Sequence, residues 1–309
     1  MKHPTKEIAK LELEGWAKQP VSSIQRFPTG NHHYVYDAIL ADARPIVIRM
    51  AITSEHAAMA GALCWNEQLR ALGLPLPEIY FSNLEHQFPY LIMDRLPGND
   101  LGLVLDSLTI QQLELLAKQL MDFQRQVGKL ESAGRYGYSA TPQAAPYASW
   151  ANVVSASLER SKQRILEAAF VDISCIYRVQ KLLDYYRPQL EKIAVTPFLY
   201  DITTKNVILH EGKLSGIVDV DNLCYGDPLF HIALTQMGIL SQQGDTKYIE
   251  QLLKAFGEHS INLLRFYTSI CCVDFLSELG QQFNGNAVEQ SESRKNYLLS
   301  ILDSLLLTI

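Results

Sequence analysis

The chain of 309 residues is 48% hydrophobic and 19% charged, a composition that indicates an ordinary globular protein and excludes an intrinsically disordered one. Its formal net charge of −6 and its lack of a basic stripe argue against a nucleic-acid partner. The five cysteines form no C-x-x-C pair, which suits a reducing cytoplasmic location, and no segment has the ~18 apolar residues of a membrane span, so no membrane partner is expected.

The first part of the chain is dominated by short β-like segments with turn residues between them. Strands are predicted at residues 23–28, 34–40, 45–50, 78–82 and 90–95. Between the third and fourth strands, residues 54–72 have the pattern of a helix, which Ser54 can cap and Gly73 can end. A sheet of about five strands with one helix is therefore expected as a small N-terminal domain at residues 1–96.

After the Leu96-Pro97-Gly98 turn, the pattern becomes mainly helical. Helices are predicted at residues 108–127, 147–169 and 176–192, and again over much of 231–309. A β-like insertion at residues 197–209 and 213–220 interrupts them, with a turn at Glu211-Gly212. The sequence thus predicts an α+β protein whose second domain, residues 97–309, is larger and mainly helical.

Three polar residues in the β-like insertion have the spacing that phosphoryl transfer needs. Asp201 and Asn206 are five positions apart on a predicted loop, and Asp219 follows the next apolar run. Phosphoryl transfer requires a carboxylate that orients the attacking hydroxyl and accepts its proton, a role that suits Asp201. It also requires oxygen ligands for Mg²⁺, and Asn206 and Asp219 offer an amide and a carboxylate.

The same stretch resembles the aminoglycoside phosphotransferase and choline kinase superfamily, whose pattern is H-G-D-x-x-x-x-N, then I-D-[WFY]-[ED], then G-D-P. Asp201 and Asn206 have that spacing, and V-D-V-D at 218–221 and G-D-P at 226–228 follow in order. D-x-x-x-x-N alone is a weak signal, but the ordered set is specific. The resemblance implies a protein-kinase-like two-lobe fold that uses ATP and Mg²⁺, with Asp201 as the catalytic residue and Asn206 and Asp219 as metal ligands.

The N-terminal domain contains three further segments that are similar to the superfamily. Residues 30–36 resemble the hairpin that covers the phosphates, and Gly30 at its tip would let backbone N–H groups approach phosphate oxygens. Arg49 lies on a strand that resembles the one carrying the cation for the α- and β-phosphates. Residues 90–98 resemble the hinge strand, so Met93 and Arg95 are predicted to pass the adenine and to bind it through backbone groups.

Three features depart from the superfamily pattern. Leu199-Tyr200 replaces the His-Gly that precedes the catalytic aspartate, and His231 replaces an aspartate that braces the G-D-P region. The glutamate that would pair with the strand cation is not fixed by the sequence. Glu55 and Glu67 are both candidates, at the two ends of the predicted helix, and Glu67 is preferred.

These observations predict a kinase that transfers the γ-phosphoryl group of ATP to a hydroxyl of a small molecule, while the departures keep a nucleotide-binding pseudokinase as the alternative. The sequence identifies neither the acceptor nor the oligomeric state. Asp274 and Glu278, four positions apart on a predicted helix, would suit a cationic acceptor, although a solvated helix face is the preferred interpretation. His32 and His33 lack a third ligand, so solvated hairpin residues are expected rather than a metal site.

Overall fold

The N-terminal part of the protein is built on an antiparallel sheet. In the computed structural model, which describes residues 3–27, 33–283 and 286–307, its strands are β1 (Val21–Arg26), β2 (Tyr34–Leu40), β3 (Pro45–Met50), β4 (Ile79–Asn83) and β5 (Tyr90–Asp94). Their order in the sheet is β1-β2-β3-β5-β4. The predicted five-stranded sheet is confirmed. The predicted bounds of β2 and β3 agree with the structure, and in β2 every second side chain is buried, the alternation of a half-buried strand.

One helix in front of the sheet, α1 (Lys6–Ala17), is missing from the predicted elements. Thr5 caps its N-terminus, and Ala9 and Leu13 are buried one turn apart in the same core as the strands. Half of the other positions carry a charged side chain. The buried residues therefore form a stripe too narrow to stand out in the sequence.

The helix α2 (His56–Ala71) connects the two parts of the molecule. Met59 in its first half packs in a small cluster with β5, whereas Trp65 in its second half belongs to the core of the helical part. Gly61 lies against the segment that contains Asp221, because a Cβ at position 61 would be only 2.6 Å from the Asp221 carbonyl oxygen. The close approach of α2 to this segment therefore requires a glycine.

The C-terminal part is mainly helical, as predicted. Its helices are α3 (Leu101–Val104), α4 (Ile110–Val127), α5 (Trp150–Ala168), α6 (Ser174–Leu190), α7 (Leu229–Ser241), α8 (Lys247–Phe256), α9 (Ile261–Ser277) and α10 (Glu292–Leu306). The central helix is α9, which is buried on most sides and packs against α5, α6, α7 and α10. Within the described residues, no helix is both long and apolar enough to cross a membrane.

Short strands between the helices position the loops that carry the predicted site residues. They are β6 (Asn99–Asp100), β7 (Gly137–Ser139), β8 (Thr196–Phe198), β9 (Val207–His210), β10 (Lys213–Ile217), β11 (Leu223–Gly226), β12 (Gln282–Phe283) and β13 (Asn286–Ala287). They form the sheets β10-β9-β6 and β7-β11-β8 and the pair β12-β13. As predicted, Asp201 and Asn206 lie on a loop, residues 199–206, between the short strands β8 and β9.

The turn between the two parts requires a glycine at position 98. Gly98 has a φ of +107°, which L-residues rarely adopt, and a Cβ there would be 1.9 Å from the Leu209 carbonyl oxygen in β9. The glycine therefore lets the segment after β5 approach the strand that follows the loop at residues 199–206.

Candidate active site

The loop at residues 199–206 brings Asp201 and Asn206 together. The side-chain amide of Asn206 donates a 2.8 Å hydrogen bond to the Asp201 carbonyl oxygen, and the Asn206 N–H donates a 3.1 Å hydrogen bond to the Thr203 carbonyl oxygen. The Thr203 hydroxyl donates a 3.2 Å hydrogen bond to Asp201 Oδ1. Because the amide nitrogen of Asn206 holds the loop, its side-chain oxygen is left to act as a ligand for a cation.

Asp219 lies beside this loop, shortly after β10. The N–H of Val218 donates a 2.9 Å hydrogen bond to the Asn206 carbonyl oxygen, which joins the two segments. Asp219 has a φ of +65°, in the left-handed region that aspartate tolerates better than most residues, and its side chain is 46% exposed. The structure therefore brings together Asp201, Asn206 and Asp219.

The carboxyl group of Asp201 is difficult to ionise. Its pKa is raised from 3.8 to about 7, chiefly because protein atoms crowd the carboxyl and secondly because of the negative charge of Asp219. Hydrogen bonds from Thr203 and Asn206 and the charge of Lys205 oppose this rise but are weaker. Asp201 is nevertheless exposed, so solvent and small molecules can reach it. The repulsion between these two carboxylates favours the binding of a cation between them.

Arg49 joins the N-terminal sheet to the segment after β10. Its side chain is buried, and its Nη2 atom lies 2.6 Å from Asp219 Oδ1 and 2.6 Å from Asp221 Oδ2. His33 Nε2 lies 2.8 Å from the same Asp221 oxygen. Burial alone would raise the pKa of Asp221, but the charge of Arg49 and the hydrogen bond with His33 outweigh burial and lower that pKa to about 2. Asp221 is therefore ionised at neutral pH and fixes the guanidinium of Arg49.

The expectation that a glutamate of α2 pairs with Arg49 is wrong. Neither Glu55 nor Glu67 contacts it in the part of the chain that the structure describes, and the two aspartates after β10 take this role. The face of α2 that packs against the N-terminal sheet is apolar, with Met59 and Ala62 buried there. Glu67 is exposed.

His33 is buried, which corrects the prediction of a solvated hairpin residue. Its contact with Asp221 explains the burial, because a ring nitrogen next to an ionised carboxylate keeps a hydrogen-bond partner after it leaves water. Gly30 and His32 lie outside the described residues, so the phosphate-covering role of Gly30 stays a prediction.

The predicted hinge lies at the end of β5. Met93 pairs with Val47 of β3, and Arg95 follows the strand directly. Arg95 Nε lies 3.3 Å from Asp37 Oδ2, and Arg95 Nη1 donates a 2.8 Å hydrogen bond to the Leu96 carbonyl oxygen. Because Asp37 and the Leu96 carbonyl oxygen already bind the Arg95 side chain, a nucleotide would contact the backbone atoms of this segment. The nucleotide contacts of Met93 and Arg95 stay predictions.

A family of known proteins shares this arrangement. The model of the phosphotransferase enzyme family APH matches residues 23–267 of the chain. The chain belongs to this family. No curated protein matches it by sequence at a significant level.

Solved structures of aminoglycoside phosphotransferases have a similar fold. A thermostable mutant of APH(4)-Ia in a ternary complex with AMP-PNP and hygromycin B has a TM-score of 0.68 at 17% identity, over 98% of this chain and 98% of that chain. The GDP complex of wild-type aminoglycoside 2'-phosphotransferase-IIIa has a TM-score of 0.67 at 14% identity, over 99% of both chains. These findings confirm the predicted protein-kinase-like fold, and membership of the family supports a kinase-type enzyme.

In this protein, a glutamine holds the loop where the superfamily pattern has a histidine. Gln124 in α4 is buried, donates a 2.8 Å hydrogen bond to the Leu199 carbonyl oxygen, and accepts a 2.9 Å hydrogen bond from the Leu199 N–H. Sequence analysis missed this residue. The available signal was its position on the apolar face of α4, after Leu113, Leu116 and Leu120, since a buried polar side chain needs a partner.

Neutral groups brace the G-D-P region at residues 226–228. Asp227 accepts a 3.0 Å hydrogen bond from a backbone N–H of α7 and a 2.8 Å hydrogen bond from the Tyr267 hydroxyl, which accepts one of 2.8 Å from Trp150. His231 Nδ1 lies 2.6 Å from the Pro228 carbonyl oxygen. Burial lowers the pKa of His231 to about 4, so the ring is neutral at pH 7 and donates this hydrogen bond without adding a charge.

Asp274 in α9 does not belong to a solvated helix face, which corrects that interpretation. Its Oδ1 accepts a 3.0 Å hydrogen bond from Ser161, and Arg160 and Arg164 of α5 lie 3.2 Å and 3.4 Å from the same oxygen. Glu278, one turn later, is half-buried. Its pKa is raised to about 7, chiefly by burial and secondly by the negative charge of Asp274. Both carboxyl groups therefore belong to a charged contact between the two helices.

Proposed function

We propose that this protein is an ATP- and Mg²⁺-dependent phosphotransferase that phosphorylates a hydroxyl group of a small molecule. The observation that carries the proposal is the position of Asp201, whose exposed carboxyl lies beside the oxygen donors of Asn206 and Asp219. A carboxylate that an acceptor can reach is able to orient the hydroxyl and to accept its proton. Solved structures with this fold contain AMP-PNP, ADP or GDP, which supports the binding of a nucleotide.

In the proposed reaction, Asp201 orients the acceptor hydroxyl and takes its proton on a carboxylate oxygen. The hydroxyl oxygen forms a bond to the γ-phosphorus of ATP while the bond from that phosphorus to the bridging oxygen breaks, and ADP leaves with the electron pair. Thr203 holds Asp201 Oδ1 by its 3.2 Å hydrogen bond, so the carboxylate keeps one orientation before the acceptor arrives.

The side chains present fit a Mg²⁺ site. The negative charges of Asp201 and Asp219 repel each other, and a bound cation would reduce this repulsion. Asn206 and Asp219 would hold the ion through their side-chain oxygens, leaving its other positions to phosphates and water. The positive charge held there would offset the negative charge of the phosphates.

We place the nucleotide between the proposed domains, residues 1–96 and 97–309. Both contacts of Arg49 with the aspartates use Nη2, so the remaining guanidinium nitrogens would meet the phosphates. Gly30 would bring backbone N–H groups to the phosphates, and the backbone at Met93 and Arg95 would meet the adenine. A cytoplasmic location stays the expectation from the five cysteines, which are free thiols.

The test is transfer of the γ-phosphoryl group from ATP to a panel of amino alcohols, sugars and aminoglycosides. Asp201→Asn should lower kcat by about 100- to 10,000-fold because it removes the base but keeps the shape of the side chain. Asp184→Asn, which changes an exposed carboxylate on α6 in the same way, is the matched control and should keep wild-type kcat.

Full activity of Asp201→Asn would refute the role of Asp201. A wild-type protein that binds Mg-ATP but transfers phosphate to no acceptor would favour the alternative, a nucleotide-binding pseudokinase with a sensor or scaffold role. Turnover on any acceptor excludes that alternative.

A further inference from the structure

A group of charged side chains adjoins the loop that carries Asp201. We name Arg160, Arg164, Lys205, Asp274 and Glu278 the charged cluster. Its arginines come from α5, its lysine from the loop at residues 199–206, and its carboxylates from α9 and the residue after it. Lys205 lies near enough to Glu278 for its charge to lower the pKa of that carboxyl. The cluster therefore lies next to the loop at residues 199–206.

Two tyrosines link the charged cluster to Asp201. Tyr200, the residue before Asp201, contacts Tyr138 edge to face, with ring centroids 4.6 Å apart. Arg160 lies close to both tyrosines, and Tyr200 lies close to both Asp201 and Asp274. A molecule whose hydroxyl contacts Asp201 would therefore extend along the tyrosines toward Arg160.

The charged cluster carries more positive than negative charge. Arg160 and Arg164 share a single oxygen of Asp274, so one carboxylate faces two guanidinium groups. Lys205 does not add to this excess, because it also lies close to the carboxyl groups of Asp100 and Asp201. Glu278 is the only other carboxylate of the cluster, and with a pKa of about 7 it is only partly ionised at neutral pH. A cationic acceptor would meet this excess of positive charge at close range, which is unfavourable.

We propose that the phosphoryl acceptor carries a carboxylate, and that Arg160 with Arg164 binds it while Asp201 receives the hydroxyl. This inference rests on the proposed function and adds the substrate class to it. The guanidinium of Arg160 suits this role because its side chain is 46% exposed and its hydrogen bonds to described residues use Nη2 alone. A guanidinium binds a carboxylate through two parallel hydrogen bonds, which a lysine cannot do.

The experiment compares acceptors that differ at one carbon, which carries a carboxylate, a hydroxymethyl or an aminomethyl group. The sets are glycerate, glycerol and aminopropanediol; gluconate, sorbitol and glucamine; and glucuronate, glucose and 6-amino-6-deoxyglucose. Phosphoryl transfer is measured for each compound, and binding is measured by thermal shift with Mg-AMP-PNP present. In at least one set the acid should exceed the amine in kcat/KM by about 10- to 100-fold, as expected for charged hydrogen bonds.

The variant Arg160→Gln keeps a donor for Asp274 but removes the positive charge. It should raise KM for the acid about 10-fold or more and leave KM for the neutral compound of that set nearly unchanged. Lys162→Gln is the matched control, because Lys162 lies on the same helix and pairs with Glu159 instead. It should change neither KM. Arg160→Lys should fall between wild type and Arg160→Gln, since it keeps the charge without the planar fork.

Preference for the amine or neutral member in every set, or an unchanged preference in Arg160→Gln, would overturn the inference. So would a panel in which no acid is phosphorylated and none raises the melting temperature. If Mg-ATP binds and any compound is phosphorylated, the proposed function is supported even when these results overturn the inference about the carboxylate. Absence of nucleotide binding would instead overturn the proposed function itself.

Discussion

The carboxyl of Asp201 is exposed to solvent and yet costly to ionise, because protein atoms and the charge of Asp219 surround it. A general base needs both properties, since the acceptor must reach it and its pKa must lie near the working pH. Asp221, only two residues after Asp219, behaves in the opposite way. Its neighbours Arg49 and His33 keep it ionised, which makes it a fixed counter-ion and not a base.

Protein stability should report the raised pKa of Asp201 directly. The pKa is 3.8 in the unfolded chain and about 7 in the folded protein, so the contribution of Asp201 to stability is complete below about pH 4 and is lost as the pH rises through about 7. The asparagine side chain of the Asp201→Asn variant cannot ionise, so the variant should not lose this stability as the pH rises. The melting temperatures of both proteins, measured between about pH 4 and 8 without metal or nucleotide, should therefore diverge in favour of the variant as the pH rises. Parallel curves would contradict the raised pKa.

At the scale of secondary-structure elements, α4 holds the loop at residues 199–206. The two hydrogen bonds between Gln124 and the backbone of Leu199 fix the start of the loop, and both partners are buried. The superfamily pattern has a histidine at position 199 for this purpose. Here the support comes from a neighbouring helix, which explains how the loop keeps its geometry with an apolar residue before Tyr200.

Gln124→Met should destabilise the protein and misplace the loop. The substitution keeps the length of the side chain but leaves the buried N–H and carbonyl oxygen of Leu199 without partners, at a cost of about 2–4 kcal/mol in the free energy of unfolding. Urea unfolding measures this loss. Activity should fall in kcat while the Kd for Mg-AMP-PNP stays within about threefold. Gln111→Met, at an exposed position of the same helix, is the control and should behave like wild type.

The local patterns explain which elements could be predicted from the sequence. The strand β2 alternates clearly, β3 is a short and mostly apolar run, and α2 has a start and a stop signal, so each was predicted close to its observed bounds. The helix α1 was missed because only Ala9 and Leu13 are buried. The partners of Gln124 and of Arg49 were beyond prediction since they depend on contacts between residues more than 70 positions apart in the chain.

For the whole molecule, the N-terminal sheet and the helical part meet at the residues proposed for catalysis. Arg49 and His33 belong to the sheet region, and their partners Asp219 and Asp221 belong to the segment between β10 and β11. Gly61 of α2 contacts the same segment. The metal ligand proposed at Asp219 is thus held from both parts, and a nucleotide bound there would contact both.

Calorimetric titration of AMP-PNP with and without Mg²⁺ tests most directly whether metal binding and proton acceptance are separate roles. The wild type and Asp201→Asn should both bind the nucleotide more tightly with Mg²⁺, with Kd values within about threefold of each other. Asp219→Asn should lose at least about tenfold in affinity when Mg²⁺ is present and little when it is absent, because it removes a charged ligand of the ion. Wild-type affinity for Mg-AMP-PNP in Asp219→Asn, or a wild type indifferent to Mg²⁺, would contradict the proposed site.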